Sequence, residues 1–450
     1  MGLGVHIQEL FRRQYSRVGS TFCRACIGQA AHPDRAHRLA WQHLYGDFPQ
    51  ASDSMKFSVL LPTRNRLEYL RYAVETVRQQ DYADWEIVIS DNDSVDDIAG
   101  YVAELADPRI VYLRTPSFVP VTDNWNHALG ASSGDYVVML GDDDGLLPGY
   151  FSGLMAAMAN FLDPDFVYVS ALFFAYPGVM PDAPDGFLRT DQNRFFSGAA
   201  PYWLDPDTAR GIARGYLDFR MPVASNMQFS LISRRTINAM KAAGPFFQSP
   251  YPDFYATPAL FLTCDRILIY PKPFVVIGIT PKSYGFFHFN NRSGDGVDFL
   301  NNNGALAADD LDAIRLPGTS YNDSWLLAMK ALEASFSGAR GMTPDIRRYR
   351  FLQIVYCYKH GYFDRSIAPA ALATLKGRMT TAERLTWGIV LPLGFSLLRL
   401  VPTGLRATVI ARLRRMIGQH PISDEAAIAT RFENLLDVYA QINAHGMPSA

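Results

Sequence analysis

The stretch VVMLGDDDGLLP at residues 137–148 decides how the rest of the chain is interpreted. Its four leading apolar residues predict a buried strand, and the glycine and proline that follow are typical of a turn. Asp142, Asp143 and Asp144 come directly after the strand. Three neighbouring carboxylates repel one another unless a positive charge lies close by, and a divalent cation that also binds phosphates would provide it. A solvated acidic turn is the alternative, so the surrounding sequence must decide between them.

Strands and helices alternate on both sides of this stretch. The predicted strands are 57–61, 85–90, 110–113, 135–140 and 166–170, and helical periodicity fills the segments between them. This alternation is typical of βαβ units. We therefore predict an α/β fold with a mainly parallel sheet flanked by helices. Two helix starts carry a capping pattern, Asn65 with Glu68 and Ser94 with Asp97.

Polar clusters stand at the ends of three of these strands, at residues 63–65, 91–93 and 142–144. In open α/β sheets, ligands bind beyond the carboxyl ends of the strands. Three such clusters in one sheet favour a binding site over a chance acidic turn.

Length, composition and charge indicate how many domains the chain forms and which partners to expect. Of the 450 residues, 48% are hydrophobic, which is enough for a large core and for two or three domains. We predict an N-terminal extension over 1–54, a main domain over 55–300 with halves at 55–165 and 166–300, and a mostly helical C-terminal region over 301–450. The formal net charge of −2 gives no concentrated positive field, so we expect no nucleic-acid partner.

The C-terminal region contains an apolar stretch, 385–401, inside a basic segment, 376–415. The apolar stretch is shorter than a typical spanning helix of about 20 residues. Apolar and basic residues together favour a peripheral contact with an anionic membrane surface. A core helix of an all-α subdomain is the alternative. Because residues 1–10 lack the apolar core of a signal peptide, we expect a cytoplasmic protein, with any membrane contact on the inner face of the cell membrane.

Three segments together resemble one known family. They are FSVLLPTRNR at 57–66, WEIVISDNDS at 85–94 and GDYVVMLGDDDGLLP at 134–148. Their order and spacing resemble family 2 glycosyltransferases of the GT-A fold, specifically over about 57–165 and more weakly to about 295. The resemblance implies a metal-dependent, inverting hexosyltransferase-type enzyme that uses Mn²⁺ or Mg²⁺. Its donor would be a nucleotide diphosphate sugar, UDP-linked by expectation, and its acceptor a glycan or glycolipid of surface polysaccharide synthesis.

The resemblance also implies roles for individual residues. Thr63 and Arg64 would contact the nucleotide, Asp91 would accept a hydrogen bond from the base, and Asp93 would assist it. The family usually has an Asp, a variable residue and an Asp in the acidic motif, but here Gly141 occupies the first position. Asp142 is therefore placed near the ribose, Asp143 on the metal, and Asp144 either as a second ligand or as an acceptor behind it.

Inversion needs a carboxylate that takes the proton of the acceptor hydroxyl. Asp253 is the candidate for this base, with a helix-capping role as the alternative. His288 is a candidate metal ligand or a packed aromatic-loop histidine. Arg292 is a candidate phosphate ligand or a surface arginine, and Asn124 would line the donor pocket.

The sequence also bears on other functional classes. A calcium-binding EF-hand at Asp91 fails because Asp96 stands where the loop needs glycine, and no Gly-x-Gly-x-x-Gly supports a Rossmann dehydrogenase. A nucleotidyltransferase on a related fold remains an alternative, although residues 63–66 are not glycine-rich. A catalytically inactive GT-A protein that only binds sugar or nucleotide is the other alternative, and Gly141 is the residue that keeps it open.

Overall fold

The computed structural model describes most of the chain from residue 55 onward. The described residues are 55–179, 184–190, 198, 200–283, 311, 314–336, 342–363, 365–402, 404–406, 408, 409, 412 and 432–446. The chain divides into two compact units. The smaller unit comprises Met1–Ser54 and Val401–Ser423, and within it the Leu405 N–H donates to the Pro402 carbonyl at 2.9 Å. The larger unit comprises Met55–Leu400 and Asp424–Ala450, and it carries all the elements that follow.

A ten-stranded mixed sheet forms the centre of the larger unit, in the order β3-β2-β1-β4-β9-β6-β10-β5, with β7 beside β6 and β8 beside β10. The strands are β1 Phe57–Thr63, β2 Trp85–Asp91, β3 Ile110–Arg114, β4 Tyr136–Met139, β5 Gly145–Leu146, β6 Phe166–Ala175, β7 Phe187–Thr190, β8 Tyr202–Trp203, β9 Ser230–Ser233 and β10 Ile267–Ile279.

The first four strands form the parallel half of this sheet. β1 pairs in parallel with β2 and with β4, and β2 pairs in parallel with β3. These strands are near-continuous apolar runs because helices cover both faces of such a sheet. Val59, Leu60 and Leu61 of β1, for example, have no exposed surface.

The other half mixes strand directions. β9 is antiparallel to both β4 and β6, whereas β10 is parallel to β6. Two reversals restore the original direction, so β6 and β10 run the same way as β1, β2 and β4. The carboxyl end of β10 therefore lies at the same edge of the sheet as the carboxyl ends of β1, β2 and β4.

Helices follow most strands. They are α1 Leu67–Arg78, α2 Ile98–Leu105, α3 Val121–Ala131, α4 Tyr150–Asn160, α5 Pro206–Leu217, α6 Arg234–Met240, α7 Pro252–Thr263, α8 Ser320–Ser335, α9 Ile346–Tyr358, α10 Pro369–Arg378, α11 Thr381–Leu400 and α12 Leu435–His445. Leu70, Val74 and Val77 give α1 a fully buried apolar face. Burying each such side chain contributes about 1.5–3 kcal/mol.

The C-terminal helices pack on the sheet unit instead of standing apart from it. Trp325 and Met329 of α8 and Tyr349 of α9 belong to the same core as the sheet. The predicted fold class is confirmed, since an α/β sheet flanked by helices is followed by a mostly helical region. The domain boundaries predicted at residues 54 and 300 stay predictions.

The capping predictions for the first two helices are wrong. Helix α1 follows Arg66, and Asn65 adopts a left-handed conformation with φ of 54°. The Asn65 side chain accepts from the Val95 N–H at 2.7 Å, while its own N–H donates to the Ser94 hydroxyl at 3.0 Å. Two loops at the sheet edge thus hold each other. Asp97, not Ser94, caps α2, by accepting from the Gly100 N–H.

Candidate active site

Three polar strand ends meet at the carboxyl edge of the sheet. Thr63 at the end of β1 is in register with Asp91 at the end of β2. The Thr63 hydroxyl donates to Asp142 Oδ2 at 2.7 Å, beyond the end of β4. Three strands thus bring buried polar side chains to one edge of the sheet.

Asp91 has no exposed surface and lies in a cluster of donors. It accepts from the Ser94 N–H at 2.9 Å, from the Tyr112 hydroxyl at 2.9 Å and from Arg114 Nη1 at 3.3 Å. Burial, and then the hydrogen bond to Asp91, raise the pKa of Tyr112. The sequence analysis missed Tyr112 and Arg114, although both lie on β3, the next strand of the sheet.

The neighbouring residue Asp93 is on the same turn. Its backbone is left-handed, with φ of 56°, and its carboxylate pairs with Arg114 Nη2 at 2.8 Å. Asp91 and Asp93 thus share one arginine, which ties the turn after β2 to the end of β3.

Arg64 and Asn124 both bond to residues at the end of β2. Arg64 Nε donates to the Asn92 carbonyl at 3.1 Å, and its guanidinium lies 3.8 Å from the ring centre of Phe118. The Asn124 side chain is buried, accepts from the Ser90 hydroxyl at 2.6 Å and donates to the Ser90 carbonyl at 3.2 Å. Both residues stabilise the strand end that carries Asp91.

The acidic stretch is buried, which excludes the solvated turn: Asp142, Asp143 and Asp144 are 3%, 6% and 3% exposed. Asp142 accepts from the Thr63 hydroxyl and from the Arg64 N–H, and its Oδ1 forms an ion pair with Arg66 Nη1 at 2.7 Å. Burial raises the pKa of Asp142, and the Arg66 charge opposes that rise. The Asp142 carboxylate is therefore engaged on both of its oxygens.

Asp144 turns back onto the backbone. Its carboxylate accepts from the Gly278 N–H at 2.8 Å, from the Gly141 N–H at 3.1 Å and from the Gln228 side chain. Burial, and then repulsion from Asp143, raise the pKa of Asp144. Because both oxygens are occupied, this geometry matches the predicted role of an acceptor behind the ligand better than that of a second ligand.

Gly141, the departure from the family motif, lies beside the Asp144 carboxylate. A Cβ at this position would lie 2.5 Å from Asp144 Oδ2, closer than side chains tolerate. Glycine therefore leaves the space into which the Asp144 carboxylate folds. A similar constraint applies at Gly278, where a Cβ would lie 1.8 Å from the Asp143 carbonyl oxygen.

Asp143 faces a cation already present in the chain. Its Oδ2 accepts from Arg66 Nη2, from the Ser283 hydroxyl and, at 3.3 Å, from the Thr280 hydroxyl. Its other oxygen, Oδ1, makes no hydrogen bond within the part of the chain that the structure describes. Burial disfavours the Arg66 charge, but Asp142 and Asp143 outweigh it and raise the pKa of Arg66 above its usual value. The sequence analysis gave Arg66 no role.

The fit of a divalent cation can be tested on these contacts. Among the described residues, no three His, Cys, Asp or Glu side chains converge on one point. Within the described contacts, the carboxylate oxygen of the acidic stretch that is left to bind a cation is Asp143 Oδ1. Mg²⁺ is commonly held by one or two carboxylates together with substrate phosphates. The residues thus fit a cation that arrives with a diphosphate, and His288 and Arg292 lie outside the described residues.

Asp253 lies in the first turn of α7, and its own Oδ1 accepts from the Phe254 N–H at 3.0 Å. Tyr251 occupies the N-cap position, without a side-chain capping bond, so Asp253 is not the N-cap. Asp253 is partly exposed, and burial raises its pKa to about 7 against the opposing effect of the backbone N–H groups. A carboxyl group of that pKa exchanges a proton readily near neutral pH.

Helix α3 fixes the segment that precedes Asp253. The Thr122 hydroxyl donates to the Ser249 carbonyl at 2.5 Å. Asn126 exchanges two hydrogen bonds with the Phe247 backbone, at 2.9 and 3.2 Å. Ser249 itself has φ of 69°, a conformation that needs such support. Since α3 begins beyond the end of β3, these bonds tie the start of α7 to the carboxyl edge of the sheet.

Part of the chain matches a known protein family. Residues 58–179 match the family described as Glycosyl transferase family 2. A 103-residue region is 40% identical to GalNAc(5)-diNAcBac-PP-undecaprenol beta-1,3-glucosyltransferase of Campylobacter jejuni, covering 22% of this chain and 33% of that protein. Over 92 residues, the chain is 30% identical to UDP-Glc:alpha-D-GlcNAc-diphosphoundecaprenol beta-1,3-glucosyltransferase WfgD of Escherichia coli, covering 20% of this chain and 36% of that protein. The matches thus span about a third of the length of these relatives.

Among solved structures, the chain is similar to residues 1–349 of TarS from S. aureus. The identity is 16%, the TM-score is 0.41, and the alignment covers 69% of this chain and 93% of that structure.

Proposed function

We propose that this protein, whose residues 58–179 match the family described as Glycosyl transferase family 2, transfers a sugar from a UDP-sugar to a hydroxyl group of a glycolipid or glycan. The observation that carries the proposal is that Thr63, Asp91 and Asp142 lie at one sheet edge. The buried guanidinium of Arg66 lies beside them. The named activities of the C. jejuni and E. coli relatives, both on undecaprenol-linked substrates, support the acceptor class.

The nucleotide is proposed to lie across the ends of β1 and β2. Asp91 would accept a hydrogen bond from the base N–H, and Asp93 shares its turn. Thr63 and Arg64 would flank the nucleotide, and Asn124 would keep the strand end in place. Asp142, held by Thr63, would face the ribose.

The diphosphate is proposed to lie at the acidic stretch. Asp143 would bind a Mn²⁺ or Mg²⁺ ion through Oδ1, and Asp144 would orient Gly141 and Gly278 behind it. The ion, when bound, stabilises the negative charge that develops on the leaving diphosphate. Arg292 as a phosphate ligand and His288 as a further metal ligand stay predictions.

The transfer itself is proposed to invert the sugar centre in one displacement. The acceptor oxygen forms a bond to the anomeric carbon, the bond from that carbon to the phosphate oxygen breaks, and UDP leaves with the electron pair. Asp253 takes the proton of the acceptor hydroxyl. Its raised pKa suits this exchange, because a general base is most effective when its pKa lies near the working pH.

A panel of nucleotides and nucleotide sugars tests the proposal. We expect uridine diphosphate and at least one UDP-sugar to raise the melting temperature with Mn²⁺, and chelation to weaken that shift. Hydrolysis of the same UDP-sugar should be slow and Mn²⁺-dependent. Binding without any turnover in the presence of undecaprenol-linked acceptors would favour an inactive binding protein. Release of pyrophosphate from UTP and a sugar 1-phosphate would favour a nucleotidyltransferase, and no uridine binding would refute the proposal.

Helix α11 has an exposed apolar face, which is relevant to an acceptor attached to a membrane lipid. Trp387 packs on Phe351 with ring centres 4.7 Å apart, and Glu383 pairs with Arg350 at 2.7 Å, so one face of α11 is docked. The opposite face is an exposed apolar stripe, defined as residues that are 52–80% exposed: Leu385, Ile389, Leu393, Leu397 and Leu400. No helix in the described ranges has the length and apolar character required to cross a bilayer.

This stripe is proposed to rest on an anionic membrane. Its residues repeat every three or four positions, which places them along one face of the helix. The exposed Arg384 and Arg399 flank it, and basic residues beside an apolar face are attracted to anionic headgroups. The stripe thus refines the contact expected within 376–415.

Replacing Ile389 and Leu393 together with glutamate is expected to reduce binding to phosphatidylglycerol vesicles by at least about tenfold, because burying each of these apolar side chains in the membrane would contribute about 1.5–3 kcal/mol. Co-sedimentation measures this, and hydrolysis of the UDP-sugar should be unchanged. Leu162→Glu, at another exposed leucine, serves as the control. Unchanged vesicle binding of the double variant would remove the membrane proposal. A change in oligomeric state would instead assign the stripe to a second copy.

A further inference from the structure

Arg66 places one guanidinium on two carboxylates of the acidic stretch. Nη1 lies 2.7 Å from Asp142 Oδ1, and Nη2 contacts Asp143 Oδ2. Nη2 also donates to the Thr280 hydroxyl at 3.0 Å, just after the end of β10. The side chain is only 9% exposed. A single internal cation thus holds the ends of three strands, namely β1, β4 and β10.

The Arg66 side chain also keeps one donor unused. Its Nε is buried and has no hydrogen-bond partner among the described residues. Leaving a buried donor unpaired is unfavourable. A guanidinium with a free N–H is suited to a phosphate group, which it binds through two parallel hydrogen bonds.

We infer that Arg66 is an internal counter-cation that competes with the divalent metal for Asp143, and that the donor diphosphate resolves this competition. The inference rests on the proposed function, since it assumes that a diphosphate binds at the acidic stretch. Without a nucleotide, Arg66 neutralises Asp142 and Asp143, and its charge repels an incoming metal ion. When the diphosphate binds, its oxygens accept from the guanidinium, so Arg66 no longer neutralises the charge of Asp143, and a metal ion can bind at the Asp143 Oδ1 atom. Metal binding therefore follows the nucleotide.

Electron paramagnetic resonance of free Mn²⁺ tests this order without measuring activity. The wild-type protein should bind Mn²⁺ weakly alone and at least about tenfold more tightly with UDP, after correction for Mn²⁺ bound by UDP in solution. UMP, which lacks the second phosphate, should not produce this gain. Equal Mn²⁺ affinity with and without UDP would overturn the inference.

Arg66→Met provides the second arm, because it removes the charge but keeps much of the side-chain length. It should bind Mn²⁺ at least about tenfold more tightly than the wild type when UDP is absent, whereas Arg66→Lys, which keeps the charge, should not. Arg71→Met is the matched control, because Arg71 is exposed on α1 and its guanidinium lies 4.4 Å from the ring centre of Tyr101. No gain in a folded Arg66→Met protein would overturn the inference, and the wild-type measurement decides the question if this variant does not fold.

The two proposals fail in different ways. If uridine nucleotides do not bind at all, the proposed function fails. If UDP binds but Mn²⁺ affinity is independent of it, the proposed function stands and the role of Arg66 is wrong.

Discussion

Replacing Asp253 with asparagine is expected to slow sugar transfer by about 10²–10⁴-fold, the range that a positioned general base contributes. Asparagine keeps the size of the side chain and an oxygen that accepts from the Phe254 N–H, but it cannot take a proton. The affinity for UDP should stay unchanged, because no nucleotide contact is assigned to Asp253. Steady-state transfer rates and calorimetric titration with UDP measure the two quantities separately.

The pH profile gives an independent measure of the same role. With a pKa of about 7, Asp253 is increasingly protonated as the pH falls below that value. A base acts only in its deprotonated form, so wild-type transfer should rise with pH up to about 7 and level off above it. The residual transfer by Asp253→Asn should lack this acid limb.

Asp265→Asn, an exposed aspartate just beyond the other end of α7, is the matched control and should transfer at the wild-type rate. A normal transfer rate in Asp253→Asn would leave the proposed base without support. A lowered melting temperature together with lost UDP binding would assign Asp253 to the structure of the helix start instead.

The local pattern of the sequence was sufficient to predict the parallel half of the fold. Apolar runs separated by helical periodicity predicted β1 to β4 to within a few residues. The polar residues at the ends of β1, β2 and β4 could be placed together because parallel strands end at a common edge. Thr63 and Asp142 are in direct contact there, at 2.7 Å.

The helix starts could not be predicted from capping patterns alone. Asn65 and Ser94 have the residue types of N-caps, but each bonds to the other loop. Short polar side chains bond to whichever backbone group is nearest, and tertiary structure decides which one that is. Tertiary structure also decides the partner of Tyr439 in α12. Its hydroxyl donates to the Gln79 carbonyl, 360 residues away in the sequence.

Arg66 was missed for a related reason. It follows the motif at the end of β1, but its partners include Thr280 and Ser283, more than 200 residues away. No local spacing indicates that contact. Gly141 departs from the family motif, but the sequence does not indicate that a Cβ there would lie 2.5 Å from the Asp144 carboxylate.

Replacing Asp143 with asparagine is expected to reduce transfer by about a thousandfold, because the loss of a metal ligand removes several kcal/mol of charge stabilisation from the leaving diphosphate. Mn²⁺ affinity measured with UDP should fall with it. The fold should survive, since Arg66 keeps Asp142 as a charged partner and the asparagine oxygen can still accept from it. Rates at saturating donor and free-Mn²⁺ resonance measure these effects.

Asp144→Asn is the matched comparison, because Asp144 is the neighbouring carboxyl group of the same acidic stretch. Its carboxylate accepts from the Gly278 and Gly141 N–H groups, and asparagine has one acceptor oxygen instead of two. One buried N–H would lose its partner, at a cost of about 1–3 kcal/mol. Asp144→Asn should therefore lower the melting temperature more than Asp143→Asn does, and reduce Mn²⁺ affinity less. The reverse order of Mn²⁺ affinities would move the metal ligand from Asp143 to Asp144, and would mean that the Asp144 carboxylate leaves the backbone when the donor binds.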